Sequence, residues 1–301
     1  MRVTNEGLSG WRDPRAWCAI LLLAVSTYLE APISNSVFRP IVHAFGIHHP
    51  PADTLGQGSY GTQMLIRLLW DLLLWAGVCM LLGRRLTGFP FRDRKWFLHL
   101  LLGLATGLSV MLATMLGIWG LGSASVASSG QSFASALGNG SCWLVLDFIG
   151  ALGEEILGRA VILTTAERFL GWRGAILVSG LMFSGLHLHN PGASRVWLLR
   201  LFLQGALLAY AVFRTQSLWW SVGYHTGWNW ISAPLFGAAG SGYLDEGHVF
   251  DFLPHGTTLI TGGSVGPEGS LLAFLAVFVA LALLTALTQP HSCQRKLGET
   301  H

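Results

Sequence analysis

Long apolar stretches recur along most of this sequence and are separated by short polar connections. A helix needs roughly 20 apolar residues to cross the hydrocarbon core of a bilayer. The stretches that approach this length are 16–35, 63–83, 97–120, 141–166, 174–190, 196–213, 218–237 and 269–289. The pattern therefore predicts an all-α protein, a polytopic membrane helical bundle of about eight transmembrane helices.

The composition agrees with a lipid bilayer as the surrounding medium. Hydrophobic residues make up 52% of the chain and charged residues only 11%, whereas an ordinary soluble domain carries about 25% charged residues. A surface that faces lipid needs no charged side chains, so the deficit has a physical reason. The net charge of +3 and the absence of a basic, aromatic-rich patch in the sequence give no reason to expect nucleic acid as a partner.

Lysine and arginine are concentrated in one set of connections, which predicts an orientation. If the N-terminus is cytoplasmic, the outer connections receive only Arg39 and Arg195. The inner side then receives Arg2, Arg12, Arg15, Arg84, Arg85, Arg92, Arg94, Lys95, Arg168, Arg173, Arg214, Arg295 and Lys296. Because basic loops stay in the cytoplasm, we expect a multi-pass protein of the cell membrane with both termini cytoplasmic.

The chain is interpreted as one integrated membrane domain with three segments. Residues 1–140 hold the first three spans and their connections. Residues 141–237 hold the more polar helices, and residues 238–301 hold an outer loop, the last span and a cytoplasmic tail.

Ionisable groups at bilayer depth are costly, and each is a candidate functional residue. Most of the ionisable and strongly polar side chains of the apolar spans lie in the fourth, fifth and seventh spans. These residues are Asp147, Glu154, Glu155, Arg159, His187, His225 and Asn229.

The fourth span divides its two glutamates between two directions. Adjacent helical residues diverge by about 100°, so Glu154 and Glu155 cannot point the same way. Arg159 follows Glu155 by four residues, which is the spacing of an ion pair. Glu154 is then free to face another group, and Asp147, seven residues earlier, lies on roughly its face. A purely structural ion network is the alternative, although one arginine cannot neutralise both glutamates in a low dielectric.

A carboxylate, two imidazoles and an amide are the ingredients of water-activated hydrolysis. Glu154 would serve as general base and later as acid for the leaving amine, and His187 would help to hold or polarise the water. His225 and Asn229 lie four residues apart on one helical face and could stabilise a tetrahedral intermediate. Glu154, His187 and His225 are also a candidate ligand set for a divalent metal such as zinc. Taken singly, His187, His225 and Asn229 are each typical of interhelical hydrogen bonding as well.

These clusters form three ordered motifs, EExxxR, FxxxH and HxxxN. They read Glu154-Glu155-x-x-x-Arg159, Phe183-x-x-x-His187 and His225-x-x-x-Asn229. In this order, and on predicted spans, they resemble the CPBP family, also called Abi. That family of intramembrane proteases includes the CAAX prenyl endopeptidases and bacterial bacteriocin-processing or immunity homologues. The resemblance covers residues 141–237, which it marks as the catalytic core helices.

The resemblance implies a role for each motif residue. Glu154 would activate water with the help of His187, and His225 and Asn229 would form the oxyanion site. The supporting or second catalytic residues would be Glu155 and Arg159. Gly158 departs from the family, which often has a bulky residue there, and the change is expected to alter packing or substrate fit more than chemistry.

The resulting hypothesis is an intramembrane metalloendopeptidase of the CAAX-protease-like type. It would hydrolyse a peptide bond of a membrane-associated protein or peptide by glutamate-activated or metal-activated water. A non-catalytic binding or bacteriocin-immunity protein is the main alternative. An ion-coupled transporter is a third, because buried carboxylates and histidines also relay protons, but the sequence shows no inverted repeat of the kind typical of transporters.

Overall fold

The computed structural model describes residues 10–289, and this part of the chain is mostly α-helical. The α-helices are α1 (Pro14–Ala44), α2 (Gln57–Leu82), α3 (Trp96–Gly120), α4 (Phe133–Glu155), α5 (Thr164–Leu186), α6 (Arg195–Thr215), α7 (Trp219–Trp230), α8 (Thr258–Thr261) and α9 (Leu271–Leu287). Two π-helical segments, Ile156–Leu163 and Ile231–Leu235, continue α4 and α7. The prediction of an all-α membrane bundle is confirmed at this level.

Five helical stretches in the described residues are long and apolar enough to cross a membrane. They are Pro14–Ala44, Gln57–Leu82, Trp96–Gly120, Phe133–Leu186 and Arg195–Thr215. The count of eight spans is not confirmed. The predicted span 218–237 is the 12-residue α7 followed by a five-residue π-helical segment, and the last span is the 17-residue α9. Both helices are shorter than the roughly 20 residues of a full crossing.

The stretch Phe133–Leu186 holds two of the predicted spans in one helical run that bends once. Its direction changes at Gly171, whose φ of 66° and ψ of 177° are not helical. Glycine adopts a positive φ without steric cost, so the sequence supplies the residue that this bend requires. Beyond the bend α5 packs against the first π-helical segment, and the Ser179 hydroxyl donates to the carbonyl of Gly158 at 3.0 Å.

Short strands join the connections at one end of the bundle, which we call the mouth end. Strand β1 (Thr54–Leu55) pairs in parallel with β3 (Leu244–Asp245). Strand β2 (Ala124–Ser128) pairs antiparallel with β4 (Phe250–Pro254). The α1–α2, α3–α4 and α7–α9 connections therefore meet at the mouth end.

The opposite end, called the basic end, carries the lysines and arginines of the α2–α3 connection, of the bend near Gly171 in α5 and of the last turn of α6. Contacts hold these connections together: Leu218 N donates to the carbonyl of Pro90 at 3.0 Å, and Arg168 pairs with Asp13 at 3.5 Å. Among the basic residues predicted to be cytoplasmic, Arg2, Arg295 and Lys296 lie outside the described residues. The rest lie at the basic end.

Large apolar side chains cover the outside of the bundle as well as its core. Leu69, Leu73, Leu181 and Phe278 are each more than half exposed, which suits a surface that faces lipid. The helices of the three predicted segments pack together, since α3 contacts both α7 and α9. The division at residues 140 and 237 itself stays a prediction.

Candidate active site

A cavity of about 460 Å³ opens between the helices at the mouth end, and we call it the central pocket. Its walls come from α2, α4, the end of α5 and α7, and its rim from the connections that carry β1 and β3. Its charged, polar and aromatic lining includes Tyr60, Arg67, Asp71, Trp143, Asp147, Glu154, His187, His225, Asn229 and Asp245. Four residues of the predicted hydrolytic set therefore line one cavity: Glu154, His187, His225 and Asn229.

The two adjacent glutamates of α4 diverge as their helical spacing predicts. Glu154 lines the pocket, and its side chain is 29% exposed. Glu155 is fully buried behind the pocket wall and forms the predicted ion pair with Arg159, with Oε1 and Nη1 3.0 Å apart. One glutamate is thus open to a substrate, while the other is held inside the protein.

Arg159 is buried among groups that orient its guanidinium. Its Nη2 donates to the carbonyl of Gly205 on α6 at 3.3 Å, and its guanidinium lies 4.7 Å from the centre of the Phe183 ring. The phenylalanine of the FxxxH motif thus provides a cation–π contact. Arg159 does not line the central pocket, so the geometry gives it, like Glu155, a supporting position.

His225 lies between the two glutamates. Its Nδ1 is 3.0 Å from Oε1 of Glu155, and its Nε2 is 3.9 Å from Oε2 of Glu154. Because Glu155 is an acceptor when ionised, the Nδ1–H donates to it and fixes the direction of the ring. Nε2 is thereby turned towards Glu154 and the pocket.

His187 ends α5 and is oriented by its own helix. Its Nδ1 is 2.7 Å from the carbonyl oxygen of Phe183, and a carbonyl only accepts, so Nδ1 carries the proton. The ring also contacts Trp197 edge-on, with centroids 5.9 Å apart. The neutral tautomer then leaves Nε2 as the free acceptor on the pocket side.

Asn229 lies one turn after His225 and lines the same pocket. Within residues 10–289 its side-chain amide forms no hydrogen bond, whereas its backbone carbonyl accepts from Ser232. The amide group is thus available to a ligand. The predicted pairing of an imidazole and an amide on one face of α7 is confirmed as a geometry, and its role as an oxyanion site stays a prediction.

Close packing between α3 and α7 sets the position of His225 and Asn229. A Cβ atom on Gly103 or Gly107 of α3 would lie 2.1 or 2.2 Å from a carbonyl oxygen of α7. Gly223 and Gly227 of α7 face carbonyls of α3 in the same way, at 2.1 and 2.6 Å. Both helices therefore carry a GxxxG pair, the pattern that lets two membrane helices approach closely.

Each π-helical segment begins in or close to a motif. The first follows Glu155, and the second starts two residues after Asn229 and contains Pro234. Such wide turns are frequent at functional sites, and neither was predicted from the sequence. Gly158 lies in the first segment, and a Cβ there would meet nothing within 4 Å, so the space that a bulkier residue would fill is open.

The candidate metal ligands Glu154, His187 and His225 are not grouped as a metal site in the described residues. In the described part of the chain, no group of three or more His, Cys, Asp or Glu side chains is arranged to hold an ion. The Nδ1 atoms of His187 and His225 are engaged with the Phe183 carbonyl and Glu155, and His225 Nε2 is 3.9 Å from Glu154. The metalloprotease type therefore has no support in the described residues, and the steps proposed below are written for the side chains alone.

Other charged groups line the pocket beyond the three motifs. Arg67 of α2 pairs with Glu30 of α1, with Nε and Oε1 3.0 Å apart, and Asp71 lies one turn further along α2. Asp245 reaches the rim from β3. Two charges four residues apart in an apolar span are a signal that could have pointed to α2, whereas a loop aspartate such as Asp245 carries no comparable pattern.

Fold and pocket together define a polytopic α-helical membrane protein with a polar site enclosed by its helices. The family described as type II CAAX prenyl endopeptidase Rce1-like matches residues 136–231. That segment runs from α4 to the start of the second π-helical segment and holds all three motifs, so the resemblance seen in the sequence is confirmed there. No curated protein and no solved structure matches the chain.

Proposed function

We propose that the protein is an intramembrane endopeptidase of the CAAX-protease-like type. It hydrolyses a peptide bond of a membrane-associated protein or peptide. The observation that carries the proposal is the convergence of Glu154, His187, His225 and Asn229 on one pocket enclosed by apolar helices. The family match over residues 136–231 supports the same reaction class.

In the first step Glu154 acts as general base. Its partly exposed carboxylate accepts a proton from a water molecule, while the free Nε2 of His187 accepts the second hydrogen bond of that water. The water oxygen forms a bond to the carbonyl carbon of the substrate. The carbonyl oxygen becomes an oxyanion, which the side-chain amide of Asn229 stabilises by donating a hydrogen bond.

His225 stabilises the same oxyanion when its Nε2 carries a proton. The positive charge of that imidazolium is then compensated by Glu155 at 3.0 Å and by the oxyanion itself, since Glu154 holds the proton of the water at this stage. In the second step the C–N bond breaks, and the proton held by Glu154 passes to the leaving amine. The products are a new carboxyl group and a new amine, and Glu154 returns to its ionised form.

Glu155 and Arg159 support this chemistry from behind the pocket wall. The buried carboxylate orients His225, and the guanidinium compensates its charge. A charge-assisted hydrogen bond is about twice as strong as a neutral one. Holding the imidazole ring in one orientation is therefore a sufficient reason for a buried ion pair at this position.

The proposal includes an orientation for the pocket. Its rim lies at the mouth end, and the connections rich in lysine and arginine lie at the other end. With the basic end in the cytoplasm, the substrate segment enters from the non-cytoplasmic side of the membrane.

The deciding experiment is a cleavage assay with purified protein in detergent or liposomes. The substrates are lipidated peptides and transmembrane peptides, and the variants are Glu154→Gln and His187→Ala. We expect the wild type to cleave at least one peptide, and Glu154→Gln to lose activity by about 10²-fold or more, since general-base catalysis contributes about 10²–10⁴-fold. Equal cleavage by all three proteins would reject the assigned roles. If the protein has a phenotype in cells and Glu154→Gln retains it, a non-catalytic binding protein is favoured.

A further inference from the structure

Two buried aspartates from different elements line the central pocket near its rim. Asp147 lies on α4 and Asp245 on β3, and their exposed fractions are 5% and 4%. The β1–β3 pairing fixes Asp245 in register opposite Leu55. The fold therefore holds the second carboxyl group at the pocket although no sequence pattern links it to the first.

Neither carboxyl group has a hydrogen-bond or ion-pair partner in the part of the chain that the structure describes. Within residues 10–289 no hydrogen bond or ion pair reaches the side chain of Asp147 or Asp245, and Asp147 Oδ2 is fully enclosed without a partner. The buried Glu268 is a clear contrast, because it pairs with Arg200 at 2.7 Å and accepts from Trp228 at 3.2 Å. Buried carboxyl groups are normally satisfied in this way, so the unsatisfied pair marks a place for ligand atoms that donate hydrogen bonds.

Aromatic rings lie beside the two carboxyl groups. Tyr60 and Trp143 also line the pocket, with ring centroids 5.5 Å apart. A Cβ on Gly150, about one turn after Asp147 on α4, would lie 2.6 Å from the Tyr60 hydroxyl. Carboxylates together with the faces of tyrosine and tryptophan are the groups that bind an organic cation.

The charges that face the pocket favour a cation at this place. Glu154 and Asp71 add two further carboxyl groups to the lining, and the guanidinium of Arg67 is compensated by Glu30 at 3.0 Å. Burial raises the pKa of Asp245 to about 8, which means that ionisation of this group is unfavourable until a positive charge approaches. Because no three acidic or histidine side chains in the described residues form a metal-ligand group, a side-chain cation suits the site better than a metal ion.

The distance to the proposed base sets where that cation lies in a substrate. Asp147 precedes Glu154 by seven residues on one helical face, which is about 10 Å along the helix at 1.5 Å per residue. An extended peptide covers about 3.3 Å per residue. A cation at Asp147 therefore belongs to a residue about three positions from the bond that Glu154 attacks.

We propose that Asp147 and Asp245 form a subsite for a lysine or arginine side chain of the substrate, about three residues from the scissile bond. The proposal rests on the endopeptidase function proposed above. It makes the two aspartates specificity-determining residues and gives them no part in bond cleavage.

The test is a peptide series in which lysine is moved along a cleavable membrane peptide and compared at each position with norleucine, which has the same aliphatic length without the charge. For the wild type we expect that, at one position, kcat/KM for the lysine peptide exceeds kcat/KM for the norleucine peptide by about tenfold or more. Asp147→Asn and Asp245→Asn, measured separately, should each bring that ratio towards one. The matched control is Asp251→Asn, since Asp251 pairs with His248 at 2.8 Å outside the central pocket, and its ratio should equal that of the wild type.

The outcomes separate the subsite from the function. If the wild type cleaves peptides but treats lysine and norleucine alike at every position, the subsite is rejected and the endopeptidase stands. If the preference exists but survives in both asparagine variants, the cation binds elsewhere and the assignment is again rejected. If the wild type cleaves no peptide of the series or of the earlier assay, the proposed function itself is overturned, and the subsite with it.

Discussion

The Nδ1 atom of His225 lies 3.0 Å from Oε1 of Glu155. The same carboxylate oxygen accepts a hydrogen bond from Nη1 of Arg159, also at 3.0 Å. A single buried oxygen therefore links α7, which carries the imidazole, to the helical run of α4. Because Glu155 does not line the central pocket, this link explains how it can act on the chemistry through the position of His225.

Glu155→Gln should weaken both stability and catalysis. The amide keeps the shape of the side chain but removes the charge that compensates Arg159, which is fully buried. Breaking a buried ion pair costs about 3–5 kcal/mol, so we expect a clear fall in the thermal unfolding midpoint in detergent. We also expect kcat to fall by about 10²-fold with a smaller change in KM, because the neutral amide oxygen accepts from His225 more weakly than the carboxylate does. The control is Glu246→Gln, on an outer loop and well exposed; wild-type kinetics in Glu155→Gln would contradict the positioning role.

Gly107→Leu should separate α3 from α7 and so displace His225 and Asn229. A Cβ at Gly107 would already lie 2.2 Å from the carbonyl of Tyr224, which the backbone cannot accommodate without moving. The matched control is Gly120→Leu on the same helix, where a Cβ would meet nothing within 4 Å. We expect Gly107→Leu to lose folded protein or activity while Gly120→Leu retains both, measured by size-exclusion chromatography and peptide cleavage. Equal behaviour of the two variants would show that the close approach is dispensable.

The sequence was sufficient for the parts of the site that depend on helical spacing. Glu155 and Arg159 pair because they are four residues apart, and His225 and Asn229 share a pocket for the same reason. The motif order was also sufficient to bring His187 to that pocket, through the family resemblance.

Features that depend on tertiary contacts were not predicted. Asp245 joins the pocket only because β3 pairs with β1 across nearly two hundred residues of chain. The count of eight spans is not confirmed, because hydropathy does not show that α7 continues as a π-helical segment or that α9 has only 17 residues. The GxxxG pairs of α3 and α7 were visible in the sequence, but only their close contact shows which helices they join.

Stability should depend on pH through Asp245. Its pKa is raised by burial to about 8 in the folded protein, against 3.8 for the free side chain. The folded state therefore binds the proton more tightly, so this group's contribution to stability is present below about pH 4 and is lost as the pH rises towards 8. Asp245→Asn should remove this loss, which thermal unfolding between pH 5 and 9 would reveal as a flatter profile than that of the wild type. An unchanged profile in Asp245→Asn, with Asp251→Asn as the reference, would show that Asp245 does not titrate in this window.

Peptide cleavage should survive the removal of metal ions. His225 is held by Glu155, and the described residues contain no group of three His, Cys, Asp or Glu side chains arranged to hold an ion. We expect full activity in the presence of EDTA or 1,10-phenanthroline and no stoichiometric metal in the purified protein by elemental analysis. Inhibition by a chelator that added zinc reverses, together with stoichiometric zinc in the wild type that elemental analysis no longer finds in His187→Ala or His225→Ala, would instead establish the metal-activated form of the reaction.

The mouth of the central pocket should be accessible from the non-cytoplasmic side. Ser128 is exposed on β2 at the mouth end, and Thr87 is exposed in the basic α2–α3 connection. In a background without native cysteines, Ser128→Cys should react with a membrane-impermeant maleimide in intact cells, whereas Thr87→Cys should react only after the membrane is permeabilised. The two changes are matched, because each replaces a hydroxyl with a thiol on an exposed loop or strand. The reverse labelling pattern would place the basic connections outside the cell, contrary to the distribution of positive charge, and would mean that the substrate reaches Glu154 from the cytoplasm.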